Sequence, residues 1–115
     1  MFTYYATIDR IIDGDTVDVT FDLGFHIYIK ERVRLQGINT PETRTKDLEE
    51  KEAGKAATKF LTEWVEKQEY KVVIQSEYDA KGKYGRVLGR LYNADQSECV
   101  NDLLLESGHA VIYGS

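Results

Sequence analysis

The chain has 115 residues, 42% of them apolar and 30% charged, with a net charge of −5, which is room for one compact domain (residues 1–115) and too little for two. No apolar run approaches the ~20 residues that cross a bilayer, and Met1 to Arg10 lacks the basic stretch and unbroken apolar run of a secretory signal. The expectation is a soluble monomer, with self-association left open, that either stays in the cell or has lost a signal. Cys99 is the only cysteine, and His26 and His109 are the only histidines. An intramolecular disulfide and a cysteine-based zinc site are therefore excluded, and any metal must take oxygen ligands.

The acidic balance opposes general attraction to polyanions, but the charge is unevenly placed. Residues 47–69 carry seven acids against four bases and account for −3 of the −5. The rest is near balance, with basic clusters at Lys30, Arg32 and Arg34 and at Lys81, Lys83, Arg86 and Arg90.

In chain order, a strand is predicted at about 4–12, and Asp13-Gly14-Asp15 has turn chemistry. Thr16 to Asp22 alternates strictly, with Val17, Val19 and Phe21 on one face, the pattern of a half-buried antiparallel strand. Leu23-Gly24 turns the chain into a third strand at about 25–38, where Val33 and Leu35 face opposite to Arg32, Arg34 and Gln36. From Lys46 to about Gln68 the period becomes helical through Ala53, Ala57, Phe60, Leu61, Trp64 and Val65. Lys71 to Tyr78 and Arg86 to Tyr92 read as strands around a turn-rich stretch from Asp79 to Gly85. A short helix over Val100 to Ser107 ends at Gly108. Tyr4, Tyr5, Tyr28, Tyr70, Tyr78 and Tyr92 read as strand residues. Five short strands with one long and one short helix suit an α+β, OB-like Greek-key barrel.

Counting by two from Val17 puts Asp15 on the inward face, where a carboxylate needs compensation. It either completes a hairpin turn with Asp13 or offers a hard cation an oxygen ligand at a barrel rim. Pro41, the only proline, stiffens the segment that presents Asn39, Thr40 and Glu42; Asn-Thr-Pro-Glu is also an ordinary way to leave a strand before a helix. Arg34 and Arg86 are single strand residues of a kind usually solvated. Converging beside a metal, their guanidinium forks would match phosphate oxygens.

The ordered set Asp13-Gly14-Asp15-Thr16, Arg34, Asn39-Thr40-Pro41-Glu42 and Lys83-Tyr84-Gly85-Arg86 resembles the staphylococcal (thermonuclease-like) nucleases over nearly the whole chain. The resemblance implies an OB-fold enzyme that hydrolyses DNA and RNA with Ca²⁺, favouring single strands and leaving 3′-phosphates. It further implies Asp15, Asn39 and the Thr40 carbonyl as calcium ligands, with Asp13 in the outer shell. Glu42 would be the general base, Arg34 and Arg86 the grip on the phosphate, Lys83 and Tyr84 the contacts to a neighbouring phosphate, and Tyr113 a base-stacking group.

Three departures accompany it. Asn39 stands where the family usually has an aspartate, so one anionic calcium ligand becomes a neutral amide and a higher calcium requirement is expected. Gly82 replaces an acidic residue before Lys-Tyr-Gly-Arg. The sequence stops at Ser115, without the C-terminal helix of many relatives. Two other readings stand beside the nuclease: a non-catalytic OB module that binds nucleic acid or protein, and a calcium-stabilised structural domain, which would leave both arginines idle.

Overall fold

The computed structural model describes residues 2–79 and 86–113. Strand β1 (Phe2–Asp13) is antiparallel to β2 (Thr16–Asp22) on one side and to β5 (Lys71–Asp79) on the other. β2 pairs with β3 (Tyr28–Leu35), β3 runs parallel to β6 (Arg86–Tyr92), and β6 returns antiparallel to β5. The order β1-β2-β3-β6-β5 therefore closes on itself, the five-stranded OB barrel expected, in which no strand is left as an edge. Two register shifts in the β1–β2 ladder, between Ile8 and Arg10 and between Ile11 and Asp13, supply the local bending that closure needs.

The alternation of β2 does what its period dictates. Val17, Val19 and Phe21 point into the barrel with Ala6, Ile8, Val33, Leu35, Ile74 and Leu91. Helix α1 (Leu48–Lys67) contributes Leu61, Trp64 and Val65 to the same core, and α2 (Val100–Glu106) adds Val100 and Leu104.

Two element boundaries and two residue placements differ from expectation. α1 starts at Leu48 rather than Lys46 because the Asp47 side chain accepts the Glu49 and Glu50 N–H groups and caps the helix there. Its buried face includes Gly54, and Ala53 is exposed. β3 starts at Tyr28 because Gly24, Phe25 and His26 all have positive φ, which extends the turn. Tyr70 lies in the turn after α1, also at positive φ, and not in a strand.

A two-stranded ladder outside the barrel was not foreseen. β4 (Ile38–Asn39) pairs antiparallel with β7 (Val111–Ile112), and the Tyr113 N–H continues the contact to the Gly37 carbonyl at 3.0 Å. Two-residue strands are too short to show a period. Among the described residues, no helix is long and apolar enough to cross a membrane.

Candidate active site at the barrel rim

The β1–β2 turn, the end of β3 and the segment after β4 meet at one rim of the barrel. The carboxylate of Asp15 is turned inward, as its register predicts, and is only 6% exposed. Its Oδ2 accepts the Thr40 N–H at 3.1 Å and pairs with Arg34 Nη1 at 2.8 Å, while Oδ1 accepts the Thr16 hydroxyl at 3.0 Å. Asp13 Oδ1 accepts the Asp15 N–H at 3.1 Å. Arg34 Nη2 donates to Asn39 Oδ1 at 3.1 Å and to the Ile38 carbonyl at 3.3 Å, and the guanidinium carbon lies 5.0 Å from the Tyr113 ring centre, a cation–π distance.

Two glycines make the assembly possible through space. A Cβ on Gly14 would lie 2.9 Å from the Ala57 Cβ and 3.0 Å from the Thr40 hydroxyl, so the turn seats against α1 and Thr40 only without a side chain. A Cβ on Gly54 would lie 2.7 Å from the Pro41 carbonyl and 2.8 Å from the Glu42 carbonyl. The absent side chain on α1 is what lets the segment bearing Glu42 pack against the helix. Behind the site, fully buried Asn101 on α2 accepts the Leu91 N–H at 3.1 Å and donates to the Gln36 and Gly89 carbonyls at 3.0 and 3.1 Å. Those three bonds tie the chain just before Gly37 and β4 to the barrel.

The two aspartates share their charge unequally. Burial, together with a side-chain hydrogen bond to Asp15, pushes the Asp13 carboxyl up to about 6. Burial acts on Asp15 as well, but hydrogen bonds from Asp13, Arg34 and the Thr40 N–H outweigh it and hold Asp15 below the ordinary carboxylate range. At neutral pH both carboxyls are ionised, Asp15 the more firmly and in direct contact with Arg34.

Glu42 is exposed and makes no hydrogen bond to Asp15 or Arg34; it lines an open cleft of about 310 Å³ with Asn39, Thr40, Glu50, His109 and Val111. A larger groove of about 390 Å³, between Tyr5, Tyr28 and Lys71, lies toward the other end of the strands and contains none of these groups. Arg86 opens β6 two residues before Leu88, the register partner of Arg34; its side chain, like the whole of Lys83 and Tyr84, lies outside the described residues. The structure therefore brings together Asp13, Asp15, Arg34, Asn39, Thr40 and Tyr113, with Glu42 next to them along the cleft wall.

Among the described residues no three His, Cys, Asp or Glu side chains converge on one point. The donors present are oxygens: one firmly ionised carboxylate, its partner Asp13, the Asn39 amide and the Thr40 carbonyl. That set suits a hard cation of the calcium type and not a nitrogen- or sulfur-seeking metal. The guanidinium already bridging Asp15 and Asn39 shows that a positive group fits between them.

Gly54 and Glu50 were not singled out from the sequence, His109 was read only as a surface or loop residue, and Asn101 only as part of the short helix. A glycine inside a helical pattern was the signal available for Gly54, an asparagine beside apolar Val100 was the signal for the structural role of Asn101, and nothing local marked Glu50.

The fold and the rim together define a closed OB-type barrel with a buried acid paired to an arginine at one end. Comparison with known sequences narrows the class. A sequence model of the family described as "Staphylococcal nuclease homologue" matches residues 32–115, and this chain belongs to that family. The thermonuclease of Staphylococcus intermedius is 35% identical over 89 residues, 77% of this chain and 49% of the relative. Endonuclease YncB of Bacillus subtilis (strain 168) is 33% identical over 108 residues, 91% of this chain and 46% of its own. An uncharacterized protein of Methanocaldococcus jannaschii is 28% identical over 130 residues, 96% of this chain and 59% of that one. The chain thus spans about half the length of these relatives.

Proposed function

We propose that this chain is a calcium-dependent nuclease that hydrolyses phosphodiester bonds of DNA and RNA, single strands preferentially, and leaves 3′-phosphates. The observation that carries the reading is the convergence of Asp15, Arg34, Asn39 and Thr40 at the rim beside an exposed glutamate, in a chain whose relatives include a thermonuclease and endonucleases.

In this reading Asp15, the Asn39 amide oxygen and the Thr40 carbonyl would hold calcium, with Asp13 behind Asp15. Calcium, when bound, would supply positive charge to offset that of the phosphate. Glu42, exposed in the cleft, takes a proton from the attacking water, whose oxygen then bonds to phosphorus. The P–O5′ bond breaks, the 5′-oxygen leaves with a proton from solvent, and the phosphate stays on the 3′ side. Arg34 and Arg86 hydrogen-bond the equatorial oxygens of the five-coordinate transition state, where charge is greatest. Lys83 and Tyr84 contact the neighbouring phosphate, and Tyr113 offers a ring to a base.

The rival is a non-catalytic OB module that binds nucleic acid or protein. What favours it is that Arg34 is already engaged by Asp15 and Asn39, and that Asn39 brings no charge of its own. Single-stranded DNA incubated with the purified protein, in calcium or in chelator, separates the two. The nuclease reading expects calcium-dependent cleavage with 3′-phosphate ends; binding without cleavage at millimolar calcium establishes the rival.

A further inference from the structure

We infer that Arg34 serves as the site's own resting cation: it bridges the two side-chain oxygens that calcium would take, so loading calcium and releasing Arg34 are one coupled event. This rests on the calcium reading above and goes beyond it.

The geometry is that of competition. Asp15 Oδ2 receives Arg34 Nη1 at 2.8 Å and the Thr40 N–H at 3.1 Å, which fills its two lone-pair directions. Asn39 Oδ1 receives Nη2 at 3.1 Å. A dication drawn to those same oxygens meets a guanidinium that is both in its path and of like charge. The pair is sheltered as well, with the Arg34 and Asp15 side chains 16% and 9% exposed, so solvent screens the conflict only weakly.

Residue 39 sharpens the conflict. A carboxylate there would give two cations two anions to share, whereas Asn39 offers a neutral amide and leaves Asp15 as the one carboxylate in contact with the guanidinium. Release of Arg34 also needs somewhere for the guanidinium to go, and a substrate phosphate is the partner its fork matches best. Calcium and phosphate then reinforce each other's binding by the same factor, as linkage requires. Tyr113 is a positioning residue in this scheme: its ring lies 5.0 Å from the guanidinium and its N–H is anchored on Gly37, so it steadies Arg34 in the resting position.

The test is calcium binding by isothermal titration calorimetry on the full chain without nucleic acid. Wild type is compared with Arg34→Gln, Arg34→Lys, Tyr113→Leu and the control Arg32→Gln, an exposed residue paired with Asp18. Arg34→Gln and Arg34→Lys should bind calcium about 10-fold or more tightly than wild type, because lysine keeps the charge but cannot bridge both oxygens. Tyr113→Leu, which leaves every ligand intact, should tighten binding by a smaller factor and keeps the test alive if an Arg34 variant does not fold. Arg32→Gln should stay within about twofold of wild type.

Equal affinity in wild type, Arg34→Lys and Tyr113→Leu would overturn the inference while leaving calcium binding intact, with the ion entering through Asp15 Oδ1. Equal tightening in Arg34→Gln and Arg32→Gln would reduce it to a general charge effect and overturn it too. No calcium uptake by any variant at millimolar concentration would overturn the calcium reading itself.

Discussion

Asp15 shows how a single register position is converted into chemistry. Alternation in β2 puts it inside, and burial of a carboxylate is tolerated because Arg34, the Thr40 N–H and Asp13 all stabilise its ionised form. Asp13 carries the cost. Its carboxyl, raised from 3.8 to about 6, binds a proton in the folded chain that the unfolded chain has already lost over that interval. Folding stability contributed by this group is therefore full below about pH 4 and lost as pH rises through 6. The groups held low, Asp15, Asp18 and Asp95, act in the opposite sense and below that window. Asp13→Asn, which keeps the oxygen that accepts the Asp15 N–H, should flatten the decline between pH 4 and 6 and be the more stable form at pH 7; urea unfolding in chelator across that range measures it. A slope unchanged by the substitution would mean that Asp13 is not the titrating group. The inward place of Asp15 was legible from counting by two. Its pairing with Arg34 was not, because Asp15 lies in the β1–β2 turn and Arg34 near the end of β3, and no spacing encodes such a partner.

At the scale of elements, the site depends on one helix and one short ladder that the sequence revealed unequally. The helical period and the acidic run placed α1, and Asp47 fixed its start through side-chain capping. Gly54 is where this helix meets the segment bearing Glu42. In an isolated helix, alanine in place of glycine would be worth about 1 kcal/mol of added stability. Here the new methyl would press on the Pro41 and Glu42 carbonyls at 2.7 and 2.8 Å. Gly54→Ala should therefore shift the Glu42 segment, with stability unchanged or reduced rather than raised, and lower the cleavage rate more than it weakens nucleic-acid binding. A melt together with a comparison of kcat and KM decides it, and a more stable protein of full activity would contradict the assigned contact. The β4–β7 ladder that carries Asn39 and anchors Tyr113 left no trace in hydrophobic periodicity, since pairing of two-residue strands comes from tertiary contact and not from local pattern.

At the scale of the whole molecule, the five barrel strands close on themselves, and the candidate site lies at the rim of that barrel with the Glu42 cleft beside it. Strand alternation and the change of period at α1 were enough to anticipate the barrel, and the ordered motifs were enough to indicate the family, because both are distributed along the chain. The candidate site was legible as a set of residue types at fixed intervals, while its arrangement depends on Gly14, Gly54 and Asn101, whose contribution is spatial. The acidic net charge of −5 belongs to this scale too: residues 47–69 hold −3 of it, leaving the remainder of the chain nearly neutral for a polyanion.

The central claim is that the rim hydrolyses phosphodiesters with Glu42 taking the proton from water. It is tested most directly by single-turnover cleavage of single-stranded DNA in calcium by wild type and Glu42→Gln, with substrate binding measured in parallel. The prediction is a rate lower by about 10²–10⁴-fold in the variant with binding preserved. Equal rates in the two proteins, or binding by wild type with no cleavage, would contradict it.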